Sequence, residues 1–160
     1  MYGRGMPTDP DALEAINEGM KIIPYNLALG LYVEDATAAG VRMVLPYRPE
    51  FVGNPDTGVL HGGAITALLD ASCGMAVFLK MAEPARIATL DLRIDYLKPA
   101  TPLKSVRTWS ECYKLTHQVA FTRATAYHDD PGDPIASAAG TFVIFDDTRS
   151  PMAQALEDKR

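Results

Sequence analysis

The chain has 160 residues, of which 48% are hydrophobic and 22% are charged, and its formal net charge is −5 at pH 7. This length and composition are typical of a single globular domain with a substantial core. The acidic balance argues against a nucleic-acid-binding protein, which would show a basic stripe. Cys73 and Cys112 form neither a CxxC pair nor a disulfide framework, and this favours the reducing cytoplasm.

Membrane association is also not expected. No apolar run reaches the roughly 18–20 residues that span a bilayer without including a charge. The N-terminus, from Met1 to Pro7, lacks the apolar core of a signal peptide. We therefore expect a soluble, intracellular protein that binds neither membranes nor nucleic acids.

The N-terminal part predicts a helix and then a β-hairpin. With Thr8 or Asp9 as its cap and proline at its opening position, the helix is predicted to run to about Met20 and to be broken by Pro24. Strands are predicted at 29–34 and 41–45 on either side of a turn, and the segment 47–58, rich in proline and glycine, predicts a loop.

A long helix is predicted from about Gly62 to Lys80, and it is apolar around its whole circumference. That pattern is typical of a helix buried in a core. Asp70 is the one formally charged residue between Asp56 and Lys80. A buried carboxylate loses hydration at a cost of several kcal/mol unless a neighbour compensates, so Asp70 is the first candidate for chemistry.

The C-terminal part predicts strands. Residues 87–97 alternate, with Leu90, Leu92, Ile94 and Tyr96 expected on one face. Further strands are predicted at 106–113, 118–128 and 135–145, and the charged tail from Asp146 is expected to be loose or a short surface helix. One long helix among about six mostly antiparallel strands predicts an α+β fold in which the sheet wraps the helix.

The sequence His61-Gly62-Gly63 opens the long helix. The N–H groups of a first helical turn have no intrahelical partner and lie at the positive end of the helix dipole. Glycine leaves room for an ester or thioester carbonyl, and one such donor contributes roughly 3 kcal/mol to the transition state. The alternative is a tight turn, since glycine serves any strained backbone.

The spacing between these glycines and Asp70 limits how they can cooperate. Gly63 and Asp70 are seven residues apart, which is two helical turns and about 10 Å along the axis. Asp70 therefore cannot serve a carbonyl held at the N-terminus of its own helix. A composite site requires Asp70 of one chain to face the glycines of another, as antiparallel helices in a two-fold dimer would allow.

Other polar residues have competing interpretations. His61 is a base or a capping residue, and with His117 and His128 it shows no metal-ligand spacing, so we expect no metal. Cys73 is interpreted as a small buried hydrophobe. Asn54 either shapes its loop or reaches a water or carbonyl. Thr89 is one residue of a predicted strand, and its position alone indicates no function.

Taken together, His61-Gly62-Gly63, Asp70, the loop residue Asn54 and the run from Thr89 to Ala100 resemble the hotdog-fold acyl-CoA thioesterases of the PaaI type. The resemblance covers about residues 29–145. It implies a hotdog domain at 29–146, with an N-terminal helix and connection at 1–28 and a tail at 147–160. It also implies a long central helix wrapped by a curved antiparallel sheet, in homodimers often paired into tetramers.

The resemblance also implies roles for individual residues. Asp70 matches the family's base or nucleophile, and Gly62 or Gly63 matches the donor that polarises the thioester carbonyl. Thr89 matches a strand hydroxyl that helps to position water. Asn54 lies one residue further from His61 than in the common pattern, so Asp56 or a shifted loop is the alternative for the water-positioning role.

The activity that this resemblance implies is hydrolysis of an acyl-CoA thioester to a free acid and coenzyme A, without a cofactor. Arg93, Lys98 and Arg123 are candidates for the coenzyme phosphates, with a merely solvated role as the alternative. Val52, Met75 and Phe78 are candidates for an acyl pocket.

Two other functions stay open on the sequence. A hotdog hydratase or dehydratase would need a well-placed His–acid pair, and His61 and Asp70 are nine residues apart. A non-catalytic acyl-CoA sensor would be expected to lack the acid or to carry a DNA-binding module.

Overall fold

The computed structural model describes residues 9–83 and 85–149. Its elements in chain order are α1 (Pro10–Met20), α2 (Pro24–Leu29), β1 (Tyr32–Thr37), β2 (Gly40–Leu45), β3 (Val52–Asn54), β4 (Val59–Leu60), α3 (Gly62–Lys80), β5 (Ala85–Tyr96), β6 (Val106–Leu115), β7 (Val119–Tyr127) and β8 (Ala136–Arg149).

Six of these strands form one antiparallel sheet in the order β1-β2-β6-β7-β8-β5. Helix α3 packs across one face of the sheet, mainly on β2, β6 and β7. The core lies between the two layers and includes Val41, Met43, Leu68, Leu69 and Val77. The predicted α+β hotdog architecture, a long helix held by a six-stranded antiparallel sheet, is confirmed.

Helix α3 has the predicted bounds, but only one side of it is covered by the sheet. Nine of its residues are buried, whereas Ala67, Asp70, Ala71 and Gly74 lie half-buried along the opposite side. The prediction that Asp70 is buried within a core is therefore wrong. Alanine and glycine count as apolar in the pattern but carry so little surface that this side needs no covering layer.

By length and composition α3 would also suffice to cross a membrane. Its large apolar residues, such as Leu68, Leu69 and Val77, are buried against the sheet. The core of this fold therefore accounts for the apolar character of the helix.

Helix α1 is tied to the edge of the sheet. Asp9 caps it by accepting a hydrogen bond from the N–H of Asp11 at 3.3 Å. The Asn17 amide donates to the Val33 carbonyl at 2.9 Å and accepts from the Val33 N–H at 2.7 Å. Asn17 thus satisfies backbone groups of β1 that an edge strand leaves unpaired.

Helix α2 was not predicted. Helix α1 ends at Met20, and Pro24 opens a second helix instead of only breaking the first. Proline suits a first helical position because its missing N–H has no partner there. Gly30 closes α2 in the left-handed conformation with φ 68°. Strand β1 consequently starts at Tyr32, later than the predicted Leu29.

Other corrections concern strands. The loop predicted at 47–58 contains β3, which pairs with β4 in a small separate hairpin. In β5, Thr89 pairs with Phe142 and Asp91 pairs with Thr141, so Leu90 is the extra residue of a β-bulge. Leu90 is 60% exposed, whereas Leu92 and Ile94, which the alternation predicted on the same face, are half-buried, so the predicted face is interrupted at Leu90.

The end of the sheet also differs from the prediction. Strand β8 continues to Arg149, so the backbone from Asp146 to Arg149 is strand and not a loose tail or helix. The rest of the predicted tail, at 150–160, lies outside the described residues, as does Thr8, one of the two predicted caps of α1.

Candidate active site

Asp70 meets Thr89 where α3 crosses the start of β5. The Thr89 hydroxyl donates to Oδ1 of Asp70 at 2.7 Å. The other carboxylate oxygen makes no hydrogen bond within the described residues. The bulge at Leu90 immediately follows, and such bulges re-aim neighbouring side chains.

This pair lines a cavity of about 320 Å³ over the open side of α3. The floor consists of α3, one wall comes from the end of α1 and the start of α2, and the other wall comes from β5 and β8. The lining residues are Met20, Ile23, Tyr25, Asn26, Ala67, Asp70, Ala71, Gly74, Met75, Phe78, Ile87, Ala88, Thr89 and Phe142. Most of this lining is apolar, which suits a hydrocarbon group. The predicted acyl-pocket residues Met75 and Phe78 are included, and Val52 is not.

The N-terminus of α3 is organised by His61. Its Nδ1 atom accepts the Gly63 N–H at 2.9 Å, so that N–H is already engaged. The Ala64 N–H donates to the His61 carbonyl at 3.0 Å. Within the described chain, the Gly62 N–H is left without an acceptor. His61 therefore caps the N-terminus of α3, and the Gly62 N–H is the backbone donor that is free to bind a ligand.

Tyr96 holds the same turn from the other side. Its hydroxyl donates to the Gly62 carbonyl at 2.7 Å and lies 2.8 Å from the Thr66 hydroxyl. Since tyrosine has a single hydroxyl proton, Thr66 must be the donor of the second bond. A Cβ atom on Gly62 would come within 3.1 Å of the Tyr96 hydroxyl. Sequence reasoning missed this contact, although the alternation in β5 grouped Tyr96 with the apolar residues of one face.

Within one chain, the Asp70 carboxylate and the Gly62 N–H lie at different recesses of the surface. Gly62 lines a second recess of about 350 Å³ together with Tyr96 and Lys98, and neither Gly62 nor Gly63 lines the Asp70 cavity. This arrangement agrees with the expectation that Asp70 cannot reach a carbonyl bound at its own helix terminus.

The other predicted water-positioning residues lie elsewhere. Asn54 is exposed, and its side-chain oxygen accepts the Asp56 N–H at 3.0 Å. The Asn54 carbonyl accepts the Gly58 N–H at 2.8 Å. Asn54 thus shapes its loop, and neither it nor Asp56 lines the Asp70 cavity of the same chain.

The three basic candidates are each paired with a carboxylate. Arg93 binds Asp95 at 3.0 Å and Arg123 binds Glu111 at 2.6 Å. Both arginines stand in register beside Ala139, on the sheet face away from α3. Lys98 forms an ion pair with Asp133 but also lines the recess of Gly62.

The remaining histidine and cysteine candidates have structural surroundings. His128 accepts the Thr101 N–H at 2.8 Å and contacts the Ser105 carbonyl at 2.8 Å, which joins two loop segments. Burial raises the pKa of the Cys73 thiol to about 11, as expected for an unreactive buried cysteine. Among residues 9–83 and 85–149, no three His, Cys, Asp or Glu side chains cluster in a way that could hold a metal.

Comparison with known proteins agrees with the fold. Residues 57–135 match the thioesterase superfamily. The medium/long-chain acyl-CoA thioesterase YigI of Salmonella typhimurium is 31% identical over 135 residues, which cover 76% of this chain and 86% of YigI.

Solved structures give the same result. The crystal structure of a Pseudomonas aeruginosa protein is 45% identical with a TM-score of 0.74, and the match covers 82% of this chain and 97% of that one. A thioesterase family protein from Silicibacter pomeroyi is 25% identical with a TM-score of 0.72, covering 82% of this chain and 96% of its own. The chain belongs to the thioesterase superfamily, a family of hotdog-fold thioester hydrolases, and the predicted family is confirmed.

Proposed function

We propose that the protein hydrolyses acyl-CoA thioesters to a free acid and coenzyme A, with Asp70 as its general base. The observation that carries this proposal is the hydrogen-bonded pair of Asp70 and Thr89 on the wall of an apolar cavity of about 320 Å³. The similarity to YigI, which is named for medium- and long-chain acyl-CoA substrates, supports the same substrate class.

Thr89 orients the base. Because its hydroxyl occupies Oδ1 of Asp70, the other oxygen remains to accept a proton from water. As the proton leaves, the water oxygen bonds to the thioester carbonyl carbon. The tetrahedral intermediate then expels the thiolate of coenzyme A, which takes up a proton.

Gly62 is the proposed donor to the carbonyl oxygen. Its N–H lies at the positive end of the α3 dipole and has no acceptor in the described chain, whereas the Gly63 N–H is held by His61. Tyr96, by fixing the Gly62 carbonyl, keeps this turn in one conformation. Such preorganised donors act where charge develops in the transition state.

Because Gly62 and Asp70 face different recesses of one chain, we propose that the site forms between two chains of a homodimer. The open side of α3 and the unpaired outer edge of β5 are the surfaces available for this contact. A two-fold axis would then create two equivalent sites, whether the dimer stands alone or is half of a tetramer.

The recess of Gly62 also suggests where the coenzyme lies. Lys98 lines it and carries a flexible cationic head, so Lys98 is the proposed contact for a coenzyme phosphate. Arg93 and Arg123 lie on the other face of the sheet, beside Ala139, and line neither recess, so for them this role stays a prediction.

Thiol release from a panel of acyl-CoAs of increasing chain length tests the proposal. We expect release of coenzyme A together with the free acid, with the best kcat/KM for medium or long chains. Binding without thiol release would indicate a sensor instead. With a 2,3-unsaturated acyl-CoA in the same panel, addition of water across the double bond without thiol release would indicate a hydratase.

A further inference from the structure

Asn26 on α2 is a buried polar residue that the proposed mechanism has not yet used. It is only 9% exposed. Its backbone carbonyl accepts the N–H groups of Gly30 and Leu31, the latter at 3.0 Å. Its side-chain amide makes no hydrogen bond within the described part of the chain. The other buried side chains of this kind differ, since Ser72, for example, bonds to Thr108.

The surroundings of Asn26 show where its amide points. Every fully enclosed side-chain nitrogen and oxygen in the described residues has a hydrogen-bond partner. The amide atoms of Asn26 are therefore accessible, and Asn26 lines the Asp70 cavity. An accessible amide that has no partner in the described chain can bind a polar occupant of that cavity.

The hydrolytic site also needs what this amide offers. Asp70 can hold a water through one hydrogen only, and the Thr89 proton is already donated to Asp70. A second contact is required to aim the water's lone pair at the carbonyl carbon. Asn54, the residue that the family pattern suggested, accepts the Asp56 N–H within its own loop and does not line the Asp70 cavity of the same chain.

We propose that Asn26 is a catalytic residue that binds the attacking water together with Asp70. This inference rests on the proposed hydrolysis. The Asn26 amide oxygen accepts one hydrogen of the water, and the free oxygen of Asp70 removes the other. The water oxygen bonds to the acyl carbon, the carbon–sulfur bond breaks, and coenzyme A leaves as a thiolate that takes up a proton.

The variant Asn26→Leu tests this because leucine has a similar size and no polar atom. We expect kcat to fall at least about tenfold for every acyl-CoA, the effect of losing one hydrogen bond to the reacting water, with KM nearly unchanged. The melting temperature should stay nearly the same, because the amide makes no hydrogen bond within the described chain. Leu27→Ala is the matched control, since Leu27 is 57% exposed on the same helix and lies outside the cavity lining.

A competing nucleophile separates water positioning from a structural defect. Hydroxylamine attacks a thioester without first losing a proton, and it yields an acyl hydroxamate and free coenzyme A. If Asn26 positions water, Asn26→Leu should raise the ratio of hydroxamate to free acid at least about threefold over wild type, after subtraction of the uncatalysed reaction. A structural defect would lower both products together.

Three results would overturn the inference: wild-type kcat in Asn26→Leu, an unchanged product ratio, or a kcat loss that merely follows a lowered melting temperature. The proposed hydrolysis has its own test in Asp70→Asn. Loss of activity in Asp70→Asn with normal activity in Asn26→Leu would reject the role of Asn26 and leave the proposed function intact.

Discussion

At the residue scale, the Asp70 carboxylate has one oxygen engaged by Thr89 and one without a partner in the described chain. Asp70→Asn keeps the shape of the side chain and removes its basicity. We expect kcat to fall at least about 10²-fold, the low end for a positioned acid–base group, with little change in melting temperature. Thiol release measures the loss, and Asp11→Asn on the exposed side of α1 should remain fully active. Near wild-type turnover would exclude Asp70 from the mechanism.

The two glycines at the start of α3 should respond differently to alanine. A Cβ atom on Gly63 would lie 2.8 Å from Nδ1 of His61 and disturb the cap, so Gly63→Ala should lower the melting temperature. A Cβ atom on Gly62 would press on the Tyr96 hydroxyl and crowd the free N–H, so Gly62→Ala should lower kcat more than stability. Paired thermal melts and kinetics check both. The reverse pattern would make Gly63 the carbonyl donor.

At the element scale, α3 is joined to the sheet by buried hydroxyl groups as well as by apolar packing. Ser72 lies 2.7 Å from the Thr108 hydroxyl and 2.6 Å from the Ser110 hydroxyl, and all three residues are fully buried. Ser72 joins the two strand hydroxyls, and the Thr108 hydroxyl also donates to the Met43 carbonyl of β2 at 3.4 Å. The cluster thus fixes the position of α3 on β6.

We therefore expect Ser72→Ala to lower the free energy of unfolding by about 1–3 kcal/mol, since two buried hydroxyls lose a partner. Urea unfolding measures the change. The triple variant Ser72→Ala, Thr108→Val, Ser110→Ala should recover part of the loss, because it leaves no unpaired hydroxyl from this cluster. The explanation would be contradicted if the triple variant lost more free energy of unfolding than the three single variants lose when their losses are added.

At the scale of the whole molecule, Asp70, the proposed base, and Gly62, the proposed carbonyl donor, lie at separate recesses of one chain. The proposed dimer brings the Asp70 of one chain to the Gly62 of its partner. Asp70→Asn and Gly62→Val chains are each expected to be inactive alone. In a mixed dimer, one site combines both substitutions, whereas the other site has an unchanged Asp70 from one chain and an unchanged Gly62 from the other.

Mixing these chains in equal amounts, under conditions that exchange subunits, should restore activity. Random pairing makes about half of the dimers mixed, and each has one intact site of two, so recovery should approach about one quarter of the wild-type sites. Thiol release measures the recovery, and mass spectrometry of differently tagged chains verifies the exchange. Verified exchange without recovery would place acid and donor in a single chain.

The fold and part of the candidate site were predictable because their signals are local. The bounds of α3 follow from its capping histidine, its glycines and its apolar run, all within residues 61–80. Asp70 stands out in the same segment as a lone charge. The hairpin of β1 and β2 and the positions of the later strands along the chain likewise follow from alternation and turn residues. The family resemblance rests on these same local features.

What the sequence by itself determined is therefore the family and the central helix, and it singled out Asp70 as the candidate for chemistry. Only the tertiary structure placed the Tyr96 hydroxyl on the Gly62 carbonyl, 34 residues away in sequence, and left the Gly63 N–H with His61. The tertiary structure also shows that one side of α3 is not covered by the sheet, that a bulge lies at Leu90 and that Asn26 lines the Asp70 cavity. These features depend on packing between distant segments, which no local pattern of residues encodes.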